Sequence, residues 1–153
     1  MPSHPLPAEP FVPHRPPMLL VDFVLAHDAH SIQTRCCVRD LPPFGTGDGR
    51  VPATIGLEMM AQSVAALSGL RRHALGLAPS IGLLVGSRRY RSQTSHFQQG
   101  HALTVNATEK LSDYVDMNVF ACEIRDADDQ LLAEGDLKAY LPEDIHAYLE
   151  AHP

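Results

Sequence analysis

One carboxylate stands near the start of the most apolar stretch of this chain: Glu58, within Pro52-Ala-Thr-Ile-Gly-Leu-Glu-Met-Met-Ala-Gln-Ser-Val-Ala-Ala-Leu-Ser-Gly-Leu70. A helix that is apolar nearly all round belongs inside a fold, where an unpaired carboxylate costs on the order of several kcal/mol or takes up a proton. Two roles fit Glu58: acid–base chemistry, or capping of the first helical turn at the positive end of the dipole. Gln62, four residues on, shares its helical face and can orient the carboxylate or line the same cavity. His14 lies in Pro13-His-Arg-Pro-Pro17, a rigid extended segment that presents its ring at a fixed place. That ring either supplies a base or anchors the segment by bonding backbone. Arg88, Arg89 and Arg91 crowd one short run, and Arg71 and Arg72 another; such clusters form either a salt-bridged edge or a docking patch for an acidic partner. The chain has 9 histidines but no H-E-x-x-H, H-x-x-E-H or paired C-x-x-C pattern, so no metal site is expected.

The elements that must hold these residues can be read from pattern. Met18 to His27 and Ser31 to Arg39 read as strands of an opening hairpin, joined by a polar turn at Asp28-Ala-His30. Asp40 to Arg50, rich in proline and glycine, is a loop; Asp48 between Gly47 and Gly49 is turn chemistry rather than a phosphate cradle. The helix is expected from about Pro52 to Ala74, with proline in its first turn and Arg71, Arg72 and His73 at its carboxyl end before Gly76. Four strands follow: Ser80 to Ser92, Ala102 to Leu111, Val115 to Arg125 and Leu131 to Leu141, with turns at Ser112-Asp113 and Asp126 to Asp129 and the four forming a meander. His96 and His101 flank a Gln-Gln-Gly turn and read as surface residues. Glu143 to Pro153 can form a short terminal helix. One long helix among six strands makes an α+β domain.

Composition limits the function classes. A chain of 153 residues with 44% hydrophobic content suits one domain spanning 1–153, with its core at about 12–141. A formal net charge of −6 argues against general binding to nucleic acid. No membrane span and no signal-peptide pattern can be read, which implies a cytoplasmic protein. The 3 cysteines, two adjacent at Cys36-Cys37, make a poor disulfide framework; in a strand the pair points to opposite faces, one into the core and one partly exposed.

Three segments carry a family resemblance. Val51 to Gln62 resembles the M-P-G-x-x-x-x-E-x-M-A-Q helix motif of the hotdog-fold 3-hydroxyacyl-[acyl-carrier-protein] dehydratases. Val12 to Asp22 is similar to their L-P-H-R-x-P-x-L-L-[LIV]-D signature, and Arg89-Tyr-Arg91 with Gln99 to Leu103 more loosely to R-F-x-x-P-[VL]-x-P-G-D-x-L. The subgroup it looks like is the ApeP-like dehydratases of aryl-polyene gene clusters. The resemblance implies a hotdog, an antiparallel sheet wrapped around one long central helix. It departs at one place: where the family carries the histidine of G-H-F-P, this chain has Phe44.

The resemblance implies a fatty-acid or aryl-polyene type of dehydratase, eliminating water from a 3-hydroxyacyl thioester to give a trans-2-enoyl product. No cofactor is implied, since the substrate rides on the phosphopantetheine of an acyl carrier protein, for which Arg88, Arg89 and Arg91 are docking candidates. Glu58 would protonate the leaving hydroxyl, with a pKa raised by burial, and His14 is the candidate base. Gln62 and Phe44 would line the substrate tunnel. The backbone N–H groups of Ala53, Thr54 and Ile55, at the helix start, would receive the thioester carbonyl. A homodimer or a heterodimer with another hotdog subunit is implied, and Phe44 suits a composite site in which a partner supplies the histidine. A non-catalytic partner subunit and an acyl thioesterase are the alternative functions.

Overall fold

The computed structural model describes residues 4–80, 82–110, 117–141 and 145–153. Among them run nine strands: β1 (Leu6–Pro7), β2 (Phe23–His27), β3 (Ser31–Cys37), β4 (Arg50–Pro52), β5 (Leu83–Ser92), β6 (His96–Gln98), β7 (Ala102–Lys110), β8 (Met117–Arg125) and β9 (Leu131–Tyr140). Two α-helices accompany them, α1 (Gly56–Ala74) and α2 (Ile145–Ala151). The main sheet has the order β1-β2-β3-β7-β8-β9-β5, and β4 pairs with β6 in a small separate ribbon. The main sheet is antiparallel throughout.

Alternation sets which face is core. Along β7, Leu103, Val105 and Ala107 are buried while their neighbours are not; along β9, Ala133, Gly135, Leu137 and Ala139 repeat the pattern. That inner face receives α1, whose Met59, Met60, Val64 and Leu67 are almost wholly buried. Two buried hydroxyls meet there: Ser63 Oγ and Thr34 Oγ1 lie 2.8 Å apart, and Ser63 Oγ also donates to the Met59 carbonyl at 2.8 Å. The hotdog layout expected from the sequence is therefore present. The opening hairpin also forms, closed by Asp28 Oδ1, which accepts from the N–H groups of His30 at 2.8 Å and Ser31 at 2.7 Å.

Several boundaries differ from expectation for physical reasons. Met18 to Asp22 is not strand: the Leu20 and Val21 N–H groups donate to the Gln62 side chain instead of a ladder. The helix starts later, because Ala53–Ile55 makes a 3-10 turn first and Pro52 ends β4. β5 pairs with β9, so the meander is β7-β8-β9 and β5 closes the far side of the sheet. The expected turn at Ser112-Asp113 lies outside the described residues. No described helix is long and apolar enough to cross a membrane.

Candidate active site

His14 owes its position to the chain before it. The 3-10 turn Glu9–Phe11 packs on α1 where Gly69 leaves room for the Phe11 carbonyl, and the Phe11 ring meets His73 edge-on at 5.5 Å. Val12 is fully buried. Arg15 then folds back, its Nη1 donating to the carbonyls of Glu9 (3.2 Å), Val12 (2.9 Å) and His14 (2.7 Å). A single guanidinium thus satisfies carbonyls that an extended proline-rich segment cannot give to a ladder. The arginine of the Pro-His-Arg signature is a backbone clamp, and the histidine before it is held in place.

The same segment is tied to α1 by Gln62, which is fully buried. Its Oε1 accepts from Leu20 N–H at 2.7 Å and Val21 N–H at 3.4 Å; its Nε2 donates to the Met18 carbonyl at 2.8 Å and to Glu58 Oε1 at 3.0 Å. Every hydrogen-bonding position of that amide is used. Gln62 therefore orients Glu58 and has nothing left for a substrate, a correction to its expected place in the tunnel lining. Glu58 Oε1 stands 3.8 Å from His14 Nε2, and their side chains are 34% and 28% exposed. That exposure departs from the wholly buried carboxyl expected of an all-round apolar helix, since one strip of α1 faces a cavity. Among the described residues Glu58 Oε2 has no hydrogen-bond partner, and the buried Nδ1 of His14 has none either.

The cavity beside this pair measures about 170 Å³. Small side chains hollow it out: Ala61 and Ala65 of α1 on one wall, Ala139 with Leu137 of β9 on the other. Its outer wall includes Leu84 of β5, which is 48% exposed and belongs to the last strand of the sheet. The space is below the roughly 300–1,000 Å³ of a complete small-ligand pocket, and it opens along a strand edge with no neighbouring strand among the described residues. A titratable pair at the mouth of an apolar slot can move protons on a chain whose tail is apolar.

The other expected site residues are placed elsewhere. Phe44 sits with Leu19, Leu41 and Pro17 along a separate groove of about 760 Å³ and does not line the cavity of Glu58. The Ala53 N–H is committed to the Ser95 carbonyl at 2.9 Å, and neither Ala53, Thr54 nor Ile55 lines the cavity. Arg88, Arg89 and Arg91 are exposed on β5 and make no ion pair among the described residues, so the salt-bridged edge is not their arrangement. Arg71 does follow that reading, pairing with Glu109 at 2.6 Å. Sequence reasoning missed the cavity walls on β9, whose alanines look like ordinary strand filling. It also passed over Tyr90, although a hydroxyl where the motif has phenylalanine was a legible signal.

The family model described as ApeP-like, ApeP dehydratase, matches residues 6–150. Among solved structures, the dehydratase heterocomplex ApeI:P from Xenorhabdus doucetiae superposes with a TM-score of 0.84 at 30% identity, covering 97% of this chain and 99% of that one. The Escherichia coli PaaI protein from the phenylacetic acid degradation operon gives a TM-score of 0.58 at 14% identity, over 77% of this chain and 81% of that one. A hypothetical thioesterase with coenzyme A from Streptococcus pneumoniae gives 0.57 at 10% identity, over 78% and 84%. The last two likenesses establish the fold alone. No curated protein matches the chain.

Proposed function

Since this chain belongs to the ApeP-like dehydratase family, we propose that it removes water from a carrier-bound 3-hydroxyacyl chain through Glu58 and His14 of one protomer. The observation that carries this reading is the 3.8 Å approach of His14 Nε2 to Glu58 Oε1 at an apolar cavity. His14 takes the C2 proton on Nε2, the electron pair forms the C2–C3 double bond, and the C3 hydroxyl leaves as water with a proton from Glu58. His14 then holds one proton more and Glu58 one fewer; a single water bridging the two returns it. C2 and C3 are adjacent atoms, so acid and base must converge at a spacing of this order. Gln62 fixes the acid and the Arg15 clamp fixes the base.

The apolar slot takes the acyl tail, and its open side at β5 is where a second hotdog subunit completes the tunnel. Arg88, Arg89 and Arg91, which make no ion pair among the described residues, offer an acidic carrier protein a landing point near that edge. No cofactor enters, because the phosphopantetheine arm arrives with the substrate; a cytoplasmic setting follows from that supply. A composite site is the second reading. The solved relative at 30% identity is a heterocomplex, and Phe44 replaces the family histidine, so a partner could bring its own histidine to Glu58.

Glu58→Gln is the test. The variant is expected to lose enoyl product by about 10²-fold or more while its melting temperature stays within a few degrees of wild type. Unchanged turnover would reduce Glu58 to a capping residue, and release of free carrier thiol without an enoyl product would mark a thioesterase.

A further inference from the structure

We infer that Tyr90 is a positioning residue for the Glu58–His14 pair: its hydroxyl fixes the start of α1 and thereby sets where the carboxylate stands. The role rests on the dehydratase reading above. β5 carries a bulge between Arg88 and Arg91, where the pairing with β9 slips and Arg89 and Tyr90 together face Gly135. Arg89 adopts φ 59°, a left-handed conformation that a side chain enters at a cost. The extra residue has one visible consequence: Tyr90 is half-buried, while Arg88, Arg89 and Arg91 remain exposed.

Two glycines clear the path of the inward ring. A Cβ on Gly135 would come within 3.2 Å of Tyr90 Cα and 3.4 Å of its Cδ2, and a Cβ on Gly56 would collide with the Tyr90 hydroxyl. That hydroxyl donates to the Ala53 carbonyl. Burial pushes the phenol's pKa above its ordinary 10.0, so it stays a donor through any working range. Ala53 is thus pinned on both sides, its N–H to the Ser95 carbonyl at 2.9 Å and its C=O to Tyr90, at the start of the 3-10 turn that leads into α1. Glu58 stands in the first turn that follows.

A strained bulge and two glycines would be an extravagant way to bury a ring, which phenylalanine fills equally well. The motif this segment resembles has phenylalanine there; the hydroxyl is what this chain adds. Its hydrogen-bond partner among the described residues is the Ala53 carbonyl, in the turn that leads into the helix carrying the acid. Small displacements of a positioned acid reduce rate more than binding.

Tyr90→Phe keeps the ring and removes the bond. In the full chain, amide hydrogen exchange at Thr54 to Leu57 should quicken about five- to tenfold, with the rest of α1 unchanged. On a 3-hydroxyacyl carrier thioester, kcat should fall about five- to tenfold and KM stay within about twofold. Gly56→Ala, which expels the hydroxyl, should give the same kcat loss, and the double variant no further loss. Val105→Ala, a core truncation on β7, should lower the melting temperature more than Tyr90→Phe does and leave kcat near wild type. Exchange and kcat both at wild-type values in Tyr90→Phe would overturn the inference; so would a kcat loss matched by Val105→Ala, which would make the effect one of stability. If the wild-type chain turned over no thioester, either alone or mixed with a hotdog subunit that carries the family histidine, the dehydratase reading would fall, and the exchange result would by itself decide for or against the pinning.

Discussion

Gln62 shows how much a single amide can organise. From sequence its spacing to Glu58 was plain, but whether it served the carboxylate or the substrate depended on four partners more than forty residues away or one helical turn back, and no pattern encodes those. His14 was legible as a ring on a rigid segment; its closeness to Glu58 was not, because the Arg15 clamp acts through backbone carbonyls that every residue type shares. The cysteines gave a cleaner reading. Strand alternation places Cys36 wholly in the core and leaves Cys37 half-buried toward a groove, as its position in β3 requires. Burial raises the Cys36 thiol far above its usual pKa, with the charge of Asp22 adding to it, and burial pushes Cys122 up to about 12. Iodoacetamide at pH 8 should therefore label Cys37 alone in the folded chain, and all three thiols once guanidinium unfolds it. Rapid labelling of Cys36 or Cys122 in the native protein, read by peptide mass, would contradict this packing.

Among the elements, the long helix and its finish at Ala74 were the easiest to foresee and its start the hardest. Its apolar middle is a tertiary necessity and its finish a local cap, in which Gly76 at φ 73° lets the Gly76 and Leu77 N–H groups donate to the His73 and Arg72 carbonyls, whereas its start is set by β4, a 3-10 turn and Tyr90. At the carboxyl end Arg71 Nη2 donates to the Ala29 carbonyl and to Glu109 Oε2, both at 2.6 Å, joining α1 to the β2–β3 turn and to β7. Burial would raise the pKa of Glu109, but its bonds to Arg71, His30 and Asn118 outweigh that and hold it below its ordinary 4.5. A carboxyl with a lowered folded-state pKa stabilises the fold above its unfolded value and loses that contribution as pH falls through the folded one. Arg71→Met should then cost about 1 kcal/mol at pH 7, allowing for solvent screening of a guanidinium that is one-third exposed, and the gap to wild type should narrow below about pH 4, leaving the share due to the Ala29 bond. Thermal melts of both proteins from pH 7 to pH 3 measure it. A gap that persisted undiminished at pH 3 would show that Arg71 acts through its aliphatic packing.

At the scale of the molecule, the α+β hotdog was readable because periodicity and three motifs agreed, while the order of its strands was not: nothing local in Leu83–Ser92 says that it pairs with β9 rather than β7. That order matters, because it puts a ten-residue strand with exposed Leu84 (48%) and Val85 (53%) at the sheet's end, beside the cavity. Single domains seldom leave such an edge bare, and a second subunit along it would both cover the edge and enclose the acyl slot. The same geometry frames the choice between a base from within the chain and one from a partner. Phe44 lies away from Glu58 of its own chain, whereas His14 lies against it. The decisive measurement is the rate at which the purified chain, alone and then mixed with a hotdog subunit that carries the family histidine, converts a 3-hydroxyacyl carrier thioester to its enoyl product, for wild type and for His14→Ala. Our account predicts that wild type turns over and that His14→Ala loses about 10²-fold or more in both settings. A wild-type chain silent alone, rescued by the partner and rescued equally well with His14→Ala, would place the base in the other subunit and contradict it.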